Sequence, residues 1–335
     1  MPWMPNMIVD PPPLPSVATR PPGPFLILVN AGSGSQDADA ARATIESVLS
    51  AGGRSCAFVD VAKADRIDEL ARGCVQRARE QGATVVAAGG DGTINAVAHA
   101  VLGSGCTFGV LPMGTFNYFS RAHGIPEDLE PATRVLLDGR VHQVQVGVVN
   151  DRVFLVNASL GLYPQLLEDR EAAKQQFGRS RVVAFASAFK TLLRSHRVWR
   201  LQLRYDDVAE HITTPTLFVG NNRLQLEQIG IAESASLASG HLVAVALRPV
   251  SPLGMLGLAL RGSLGVLGEA GNVVSVSFVD LVVSVRGRGT PRVKVATDGE
   301  VAWMRLPLRF RVAAETLPLL CPAASAMGAA EAGPG

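Results

Sequence analysis

The sequence predicts two unlike halves: an α/β domain with a parallel sheet over residues 25–144, then a β-rich, sandwich-like domain over 145–315. Three observations carry that prediction. Up to Val144, short continuous apolar runs alternate with helical patterns, as they do in a parallel sheet covered by helices on both sides. Beyond Val144, short runs of alternating apolar and polar residues dominate, which is the rhythm of antiparallel strands. A chain of 335 residues is also long enough to bury two cores.

Residues 1–24 are crowded with proline (Pro11-Pro12-Pro13, Pro21-Pro22) and lack the continuous apolar core of a signal peptide, so they read as a disordered or extended arm. Phe25–Asn30 (FLILVN) is a continuous apolar run, as in a strand buried on both faces. Ala40–Leu49 has helical spacing, and Ala57–Val61 is a second strand. Ile67–Arg79 is helical, with Ile67, Leu70, Ala71, Cys74, Val75 and Ala78 on one face. Thr84–Gly89 is the third strand; it runs into Gly90-Asp91-Gly92-Thr93 and then an amphipathic stretch, Ile94–Leu102. Phe108–Leu111 is the fourth strand.

In the second half the strands fall at Val144–Val149, Val153–Asn157, Val198–Tyr205, Thr216–Val219, Leu242–Leu247, Val273–Val285, Arg292–Ala296 and Leu308–Val312. Two helical patterns interrupt them, Arg181–Leu193 and Pro252–Leu267. Residues 316–335 read as a tail, small and Ala/Gly-rich from Pro322, with a part of it packing back on the first domain.

Charge and cysteine usage exclude some classes. A formal net charge of +2 gives no global field for nucleic acid, so no nucleic-acid partner is expected. Cys56, Cys74, Cys106 and Cys321 lie far apart without a C-x-x-C pair, which removes metal-ligand spacing and suits free buried thiols in a reducing, cytoplasmic setting.

The chemistry concentrates where strands of the first half end. Strand one ends in Asn30-Ala31-Gly32-Ser33-Gly34-Ser35, strand three in Gly89-Gly90-Asp91-Gly92-Thr93, and strand four in Leu111-Pro112-Met113-Gly114-Thr115-Phe116-Asn117. Ligands of parallel sheets sit beyond these carboxyl ends. Glycines let backbone approach a ligand, and free N–H groups at a helix start suit phosphate. Three such turns at corresponding places point to one shared phosphate site. Asp91 would repel a bare phosphate, so it calls for a cation or a proton-bearing hydroxyl nearby. No G-x-x-x-x-G-K-[ST] occurs, and the dinucleotide spacing fails at Asp37.

This set resembles the diacylglycerol kinase catalytic-domain family, which includes diacylglycerol, sphingosine and ceramide kinases and bacterial lipid kinases. Asn30-x-Gly32-Ser33-Gly34 is similar to its first nucleotide loop, Gly89-Gly90-Asp91-Gly92-Thr93 with Asn95 to its signature turn, and Gly114-Thr115-Phe116-Asn117 to its third loop. Asn157-Ala158-Ser159-Leu160-Gly161, Gly220-Asn221-Asn222 and Asp298-Gly299-Glu300 follow in the family's order. The glycine–aspartate turn is shared with NAD kinases, whose Asn-Glu pair is here Asn221-Asn222, which favours the lipid branch.

The resemblance implies an NAD kinase/diacylglycerol kinase-like fold and an ATP-dependent lipid kinase that transfers the γ-phosphate to a lipid hydroxyl, diacylglycerol-like or sphingoid, with Mg²⁺ as the partner of ATP. The three loops would hold the triphosphate, with hydroxyls from Ser33, Thr93 and Thr115. Asp-Gly-Glu would approach them across a cleft, giving Glu300 as general base and Asp91 as the second carboxylate, at the hydroxyl or at Mg²⁺; the two roles are exchangeable on spacing alone. The structural alternative for Asp298-Gly299 is a plain hairpin turn.

Two departures stand out. Tyr118 replaces an acid that many members carry after Asn117, and Ser239 stands where many bacterial members place a structural-cation ligand, so no structural metal is expected there. They keep open a catalytically impaired lipid-binding or regulatory homologue, and a soluble-substrate kinase of the NAD kinase type is the third reading.

The acceptor side is written less sharply. Nine basic residues between Arg170 and Arg204 flank an apolar run, Val182–Leu193, and suit peripheral contact with an anionic membrane as well as a solvated helix face. Pro252–Leu267 reads as a helix that lines an acyl pocket or simply fills the core. Arg286, Arg288, Arg292 and Lys294 form a basic strip that would face phosphate or solvent.

Overall fold

The structure, a computed structural model, describes residues 23–30, 38–61, 66–162, 164–168, 198–285 and 292–323. The predicted helix Arg181–Leu193, the glycines of the first loop and most of the basic run lie outside these residues.

The first lobe is a six-stranded sheet flanked by helices. Its strands are β1 (Phe25–Val29), β2 (Cys56–Asp60), β3 (Thr84–Gly89), β4 (Phe108–Pro112), β5 (Arg140–Val144) and the late-arriving β18 (Leu317–Cys321), in the order β2-β1-β3-β4-β18-β5. The first four are parallel. Every residue of β1, β3 and β4 is buried, which is why these runs are continuously apolar rather than alternating. Helix α1 (Ala38–Ala51) packs on α5 (Leu129–Asp138), and α2 (Ile67–Gln81) on α3 (Asp91–Val101). The short α4 (Tyr118–Ala122) follows β4. β18 pairs along its whole length with antiparallel β5 but at only one position with parallel β4. That suits Pro318, which has no N–H to give a ladder.

The second lobe is a sandwich of two antiparallel six-stranded sheets. One runs β10 (Val208–Thr214), β9 (Trp199–Tyr205), β14 (Asp280–Val285), β17 (Leu308–Val312), β6 (Gly147–Val149), β7 (Arg152–Phe154). The other runs β13 (Val273–Phe278), β12 (Leu242–Leu247), β11 (Thr216–Gly220), β8 (Asn157–Gly161), β15 (Arg292–Thr297), β16 (Glu300–Arg305). Alternation sorts the faces: Leu217, Val219, Ala244, Val293 and Val295 meet Leu201, Leu203, Leu281, Val283 and Phe310 in a shared core. The outer face of the second of these sheets is covered by α6 (Arg223–Gln228), a 3₁₀ turn at Ala232–Ser239, and α7 (Pro252–Ser263).

Several expectations need correction. Val144–Val149 is two strands in different sheets, β5 and β6, and Val153–Asn157 divides into β7 and β8. Val273–Val285 divides as well, because the chain leaves one sheet of the sandwich for the other at Val279. The helix predicted from Ile94 begins at Asp91: Gly90 is extended (φ −83°, ψ 180°), so the first helical turn is Asp91-Gly92-Thr93 itself. The helix from Pro252 stops at Ser263 instead of Leu267.

Candidate active site

The second and third glycine turns meet at the carboxyl ends of β3 and β4. The Met113 N–H donates to the Gly89 carbonyl at 2.9 Å, so the two strands run together to the last residue. Beyond them the backbones nearly touch: a Cβ on Gly114 would lie 2.8 Å from the Gly90 Cα, so only glycine fits. Asn117 closes the third loop by exchanging two hydrogen bonds with Gly114: its Oδ1 accepts from the Gly114 N–H and its Nδ2 donates to the Gly114 carbonyl, both at 3.1 Å. It sits at φ +49°, a left-handed conformation that asparagine tolerates. Thr115 and Phe116 are left exposed at the tip, the Phe116 ring stacking on Tyr118. From the first loop, Asn30 Nδ2 donates to Thr93 Oγ1 at 3.0 Å, linking the end of β1 to the first turn of α3.

Asp91 is the first residue of α3, with its carboxyl directed toward the start of α4. Burial raises its pKa, and the backbone N–H groups of Phe119, Asn117 and Tyr118 pull it back down. Its Oδ1 is buried and has no protein partner. Among the described residues it is the one buried carboxylate oxygen in that state. Such an atom is costly unless a cation, a water or a hydroxyl meets it, so the chemistry of the site fits a divalent cation such as Mg²⁺, which Asp91 would hold.

The sandwich supplies the opposing wall. Asp298 and Gly299 form the two-residue turn between β15 and β16, both at positive φ (+47° and +93°), with Thr297 paired to Glu300. The hairpin reading of this motif is therefore right about its backbone, but the turn also brings two carboxylates to the first lobe. Asp298 accepts four hydrogen bonds: Asn95 Nδ2 (2.6 Å) and the Leu155 N–H (2.7 Å) on one oxygen, the Val156 and Asn157 N–H groups (both 2.9 Å) on the other. Burial pushes its carboxyl up to about 6 against these donors. Asn95 also donates to the Val153 carbonyl at 3.1 Å, so its amide ties α3 to the sandwich.

With the turn anchored, Glu300 faces the glycine turn. A Cβ on Gly92 would lie 3.0 Å from Glu300 Oε1, so the carboxylate touches the helix start that carries Asp91. Glu300 keeps solvent access, yet desolvation raises its pKa; Arg152 opposes the rise and Asp68 adds to it. The structure thus joins Asp91, Gly92, Thr93, Gly114 and Glu300 at one cleft. It gives Asn95 and Asn117 hydrogen bonds that shape the walls, and Gly32, Ser33 and Gly34 fall outside the described residues.

Sequence reasoning passed over Asp298 as a positioning carboxylate; the Asp-Gly turn pair was the available signal. Asn221 and Asn222 also build walls: Asn221 Nδ2 donates to the Leu155 carbonyl (3.1 Å) and Asn222 Nδ2 to the Tyr118 carbonyl (3.1 Å). Ser239 Oγ donates to the Ser236 carbonyl at 2.9 Å. In the basic strip, Lys294 pairs with Glu168 at 2.7 Å and lies over the Trp303 ring, while Arg286 and Arg288 are outside the described residues.

On the outer face of the sandwich lies a cavity of about 290 Å³, lined by Leu162, Phe218, Val245, Leu247, Met255 and Leu258 among others, with Thr216 the one polar side chain in its wall. From β16 to β11 is three strand spacings, about 14 Å, so the cavity lies across the sheet from Glu300.

Known proteins bear on this arrangement in three ways. Residues 24–149 match the family model of the diacylglycerol kinase catalytic domain. A probable lipid kinase YegS-like of Cronobacter sakazakii is 41% identical over 92 residues, 26% of this chain and 31% of that protein. A Klebsiella pneumoniae protein of the same name is 44% identical over 80 residues, 23% of this chain and 27% of that one. The chain thus matches less than a third of the length of these curated relatives. Solved structures extend the likeness in fold: a "putative diacylglycerol kinase" from Bacillus anthracis str. Sterne has a TM-score of 0.70 at 18% identity, covering 90% of this chain and 98% of that one. A second structure, a diacylglycerol kinase from the same organism, has a TM-score of 0.66 at 18% identity and the same coverage. Residues 24–149 of this chain are therefore similar to a diacylglycerol kinase catalytic domain, and its two-lobed fold is shared over nine-tenths of its length with those structures.

Proposed function

We propose that this protein is an ATP-dependent lipid kinase that transfers the γ-phosphoryl group to a lipid hydroxyl. The observation that carries this reading is the contact of Glu300 with Gly92, which sets a carboxylate of raised pKa against a glycine-built helix start. The turns at Gly89–Thr93 and Gly114–Asn117, completed by the first loop at Asn30, hold the triphosphate through backbone N–H groups. Glu300 accepts the proton of the acceptor hydroxyl, and its raised pKa makes it a better base than an ordinary glutamate. Asp91 would hold Mg²⁺, which when bound would offset the charge of the transferring group. Asp298 and Asn95 keep the base at its post by locking the hairpin to α3.

The cavity on the outer face supports a lipid acceptor. Its lining is almost wholly apolar, its volume stands at the lower edge of the range of small-ligand sites, and it shares a sheet with Glu300. Membrane contact follows from the need to collect such a substrate.

The test is direct. The protein is incubated with labelled ATP, Mg²⁺ and a panel of diacylglycerol, sphingoid, glycolipid and NAD acceptors. Transfer to one lipid class is the expected result. Label on NAD alone would establish the soluble-substrate reading. ATP binding by thermal shift without transfer to any acceptor would establish a homologue that has lost catalysis, the outcome motivated by Tyr118 at the start of α4 beside Asp91.

A further inference from the structure

Helix α7 is apolar on two opposite sides. Met255, Leu258 and Gly262 face inward and line the cavity. On the other side Leu253 and Leu260, with Leu264 that caps the helix, are 75%, 62% and 67% exposed. They stand at positions i, i+7 and i+11, which at 3.6 residues per turn fall within about 40° of one another. A helix of a water-facing surface carries polar residues on its outer side; here three leucines form one straight outward stripe. The only charged residue of α7 is Arg261, exposed at the flank of the stripe.

We infer that the leucine stripe of α7 is a membrane-docking surface, seated flat in the interfacial layer of an anionic bilayer. Three features select a bilayer over a protein partner. The inner side of this helix is a wall of the apolar cavity, so docking there brings the cavity next to the phase that holds its occupant. The charge at its edge is a cation with no acid on the helix, which complements anionic headgroups. The stripe spans about 17 Å at 1.5 Å per residue, long enough to lie in the interface, and among the described residues no helix is long and apolar enough to cross a membrane. The inference deepens the lipid-kinase reading by naming the surface through which the acceptor is collected, and the two fail separately. Vesicle binding by a protein that phosphorylates no lipid overturns the kinase reading alone.

The experiment is flotation of the full chain with vesicles of phosphatidylcholine alone and of phosphatidylcholine with phosphatidylglycerol at roughly 3:1, the second carrying the surface charge. The parent protein is expected to float with the anionic vesicles. The triple variant Leu253→Gln, Leu260→Gln, Leu264→Gln keeps helix-forming residues at exposed positions and is expected to lose at least ~30-fold in partitioning, given the apolar area removed. Arg261→Gln is expected to lose about fivefold, and only on the anionic vesicles. Leu253→Trp, in an otherwise unchanged chain, should show a blue-shifted emission when vesicles are added. Equal flotation of parent and triple variant overturns the inference, as does a parent that binds neither vesicle. A parent that fails to bind vesicles but forms a dimer abolished by the triple variant assigns the stripe to a second copy instead.

Discussion

At the end of the parallel sheet, Gly114 comes so close to Gly90 that a Cβ would meet its Cα at 2.8 Å, whereas on the outer face of the sandwich the cavity is shaped by side chains such as Phe218, Val245 and Met255. One wall of the molecule is made of backbone, the other of interchangeable apolar groups. A backbone wall demands particular residues at particular places, because only glycine permits the approach. A side-chain wall can be filled in many ways, since volume-conserving apolar exchanges cost little. The first therefore writes a motif into the sequence, and the second does not. Glu300 belongs to the sandwich by chain but to the backbone wall by position, because the Asp298-Gly299 turn carries it across.

The comparison breaks first at Glu300. If it is the base, Glu300→Gln lowers kcat by about 10²–10⁴-fold with little change in KM for ATP and none in melting temperature. Steady-state kinetics and calorimetry on the same sample check this, and a drop under tenfold would reassign the base to Asp91.

The next largest effect is on stability. Asp298→Asn leaves one oxygen for four donors and turns an NH₂ group toward N–H groups of either the Asn95–Leu155 pair or the Val156–Asn157 pair. A loss of about 3 kcal/mol is expected, the cost of leaving buried donors unmet. Denaturant unfolding measures it. If the tie between the lobes is what positions Glu300, activity also falls below the unfolding transition.

Gly92→Ala separates the two roles of the backbone wall. Alanine favours a helix by roughly 0.5–1 kcal/mol over glycine, so α3 gains stability. The new Cβ would stand 3.0 Å from Glu300 Oε1, and the carboxylate must shift. The expected result is an unchanged or higher melting temperature with kcat reduced about tenfold, since small misplacements of a reacting group are costly. Full activity in this variant would show that the contact is incidental.

The pH profile sharpens the same point. A base must be ionised, and the pKa of Glu300 is raised, chiefly by desolvation. The acid limb of kcat/KM is therefore expected at higher pH than an ordinary glutamate would give, and activity falls as pH drops through it. Arg152 holds the value down, so Arg152→Ala should move the limb further up.

What the sequence made legible follows the same division. β1, β3 and β4 were plain because strands buried on both faces are continuous apolar runs. Leu242–Leu247 matched β12 residue for residue. β10 and β16 were missed because each buries only one residue and carries no apolar rhythm, and β18 because Pro318 argues against a strand between two others. At the cleft, the glycine turns and Asp91 could be named from spacing, and Glu300 from the family resemblance. The tasks of Asn95 and Asp298 could not, since each depends on a partner from the other lobe, about two hundred residues away in the chain. Nor could the cavity, whose lining is gathered from several elements.

The smallest effect tests whether the outer face of the sandwich is built for a ligand or for packing alone. Ser159 stands on β8 between Phe218 of β11 and Ala296 of β15, fully buried, and its hydroxyl has no partner. Folding alone gives no reason for a polar group there, and its burial costs on the order of 1 kcal/mol. Ser159→Ala removes the hydroxyl at almost no change in shape, so the variant should be more stable by about that amount in denaturant titration. A variant less stable than the parent would mean that the hydroxyl is already satisfied, as by a buried water, and belongs to the packing of the sheet.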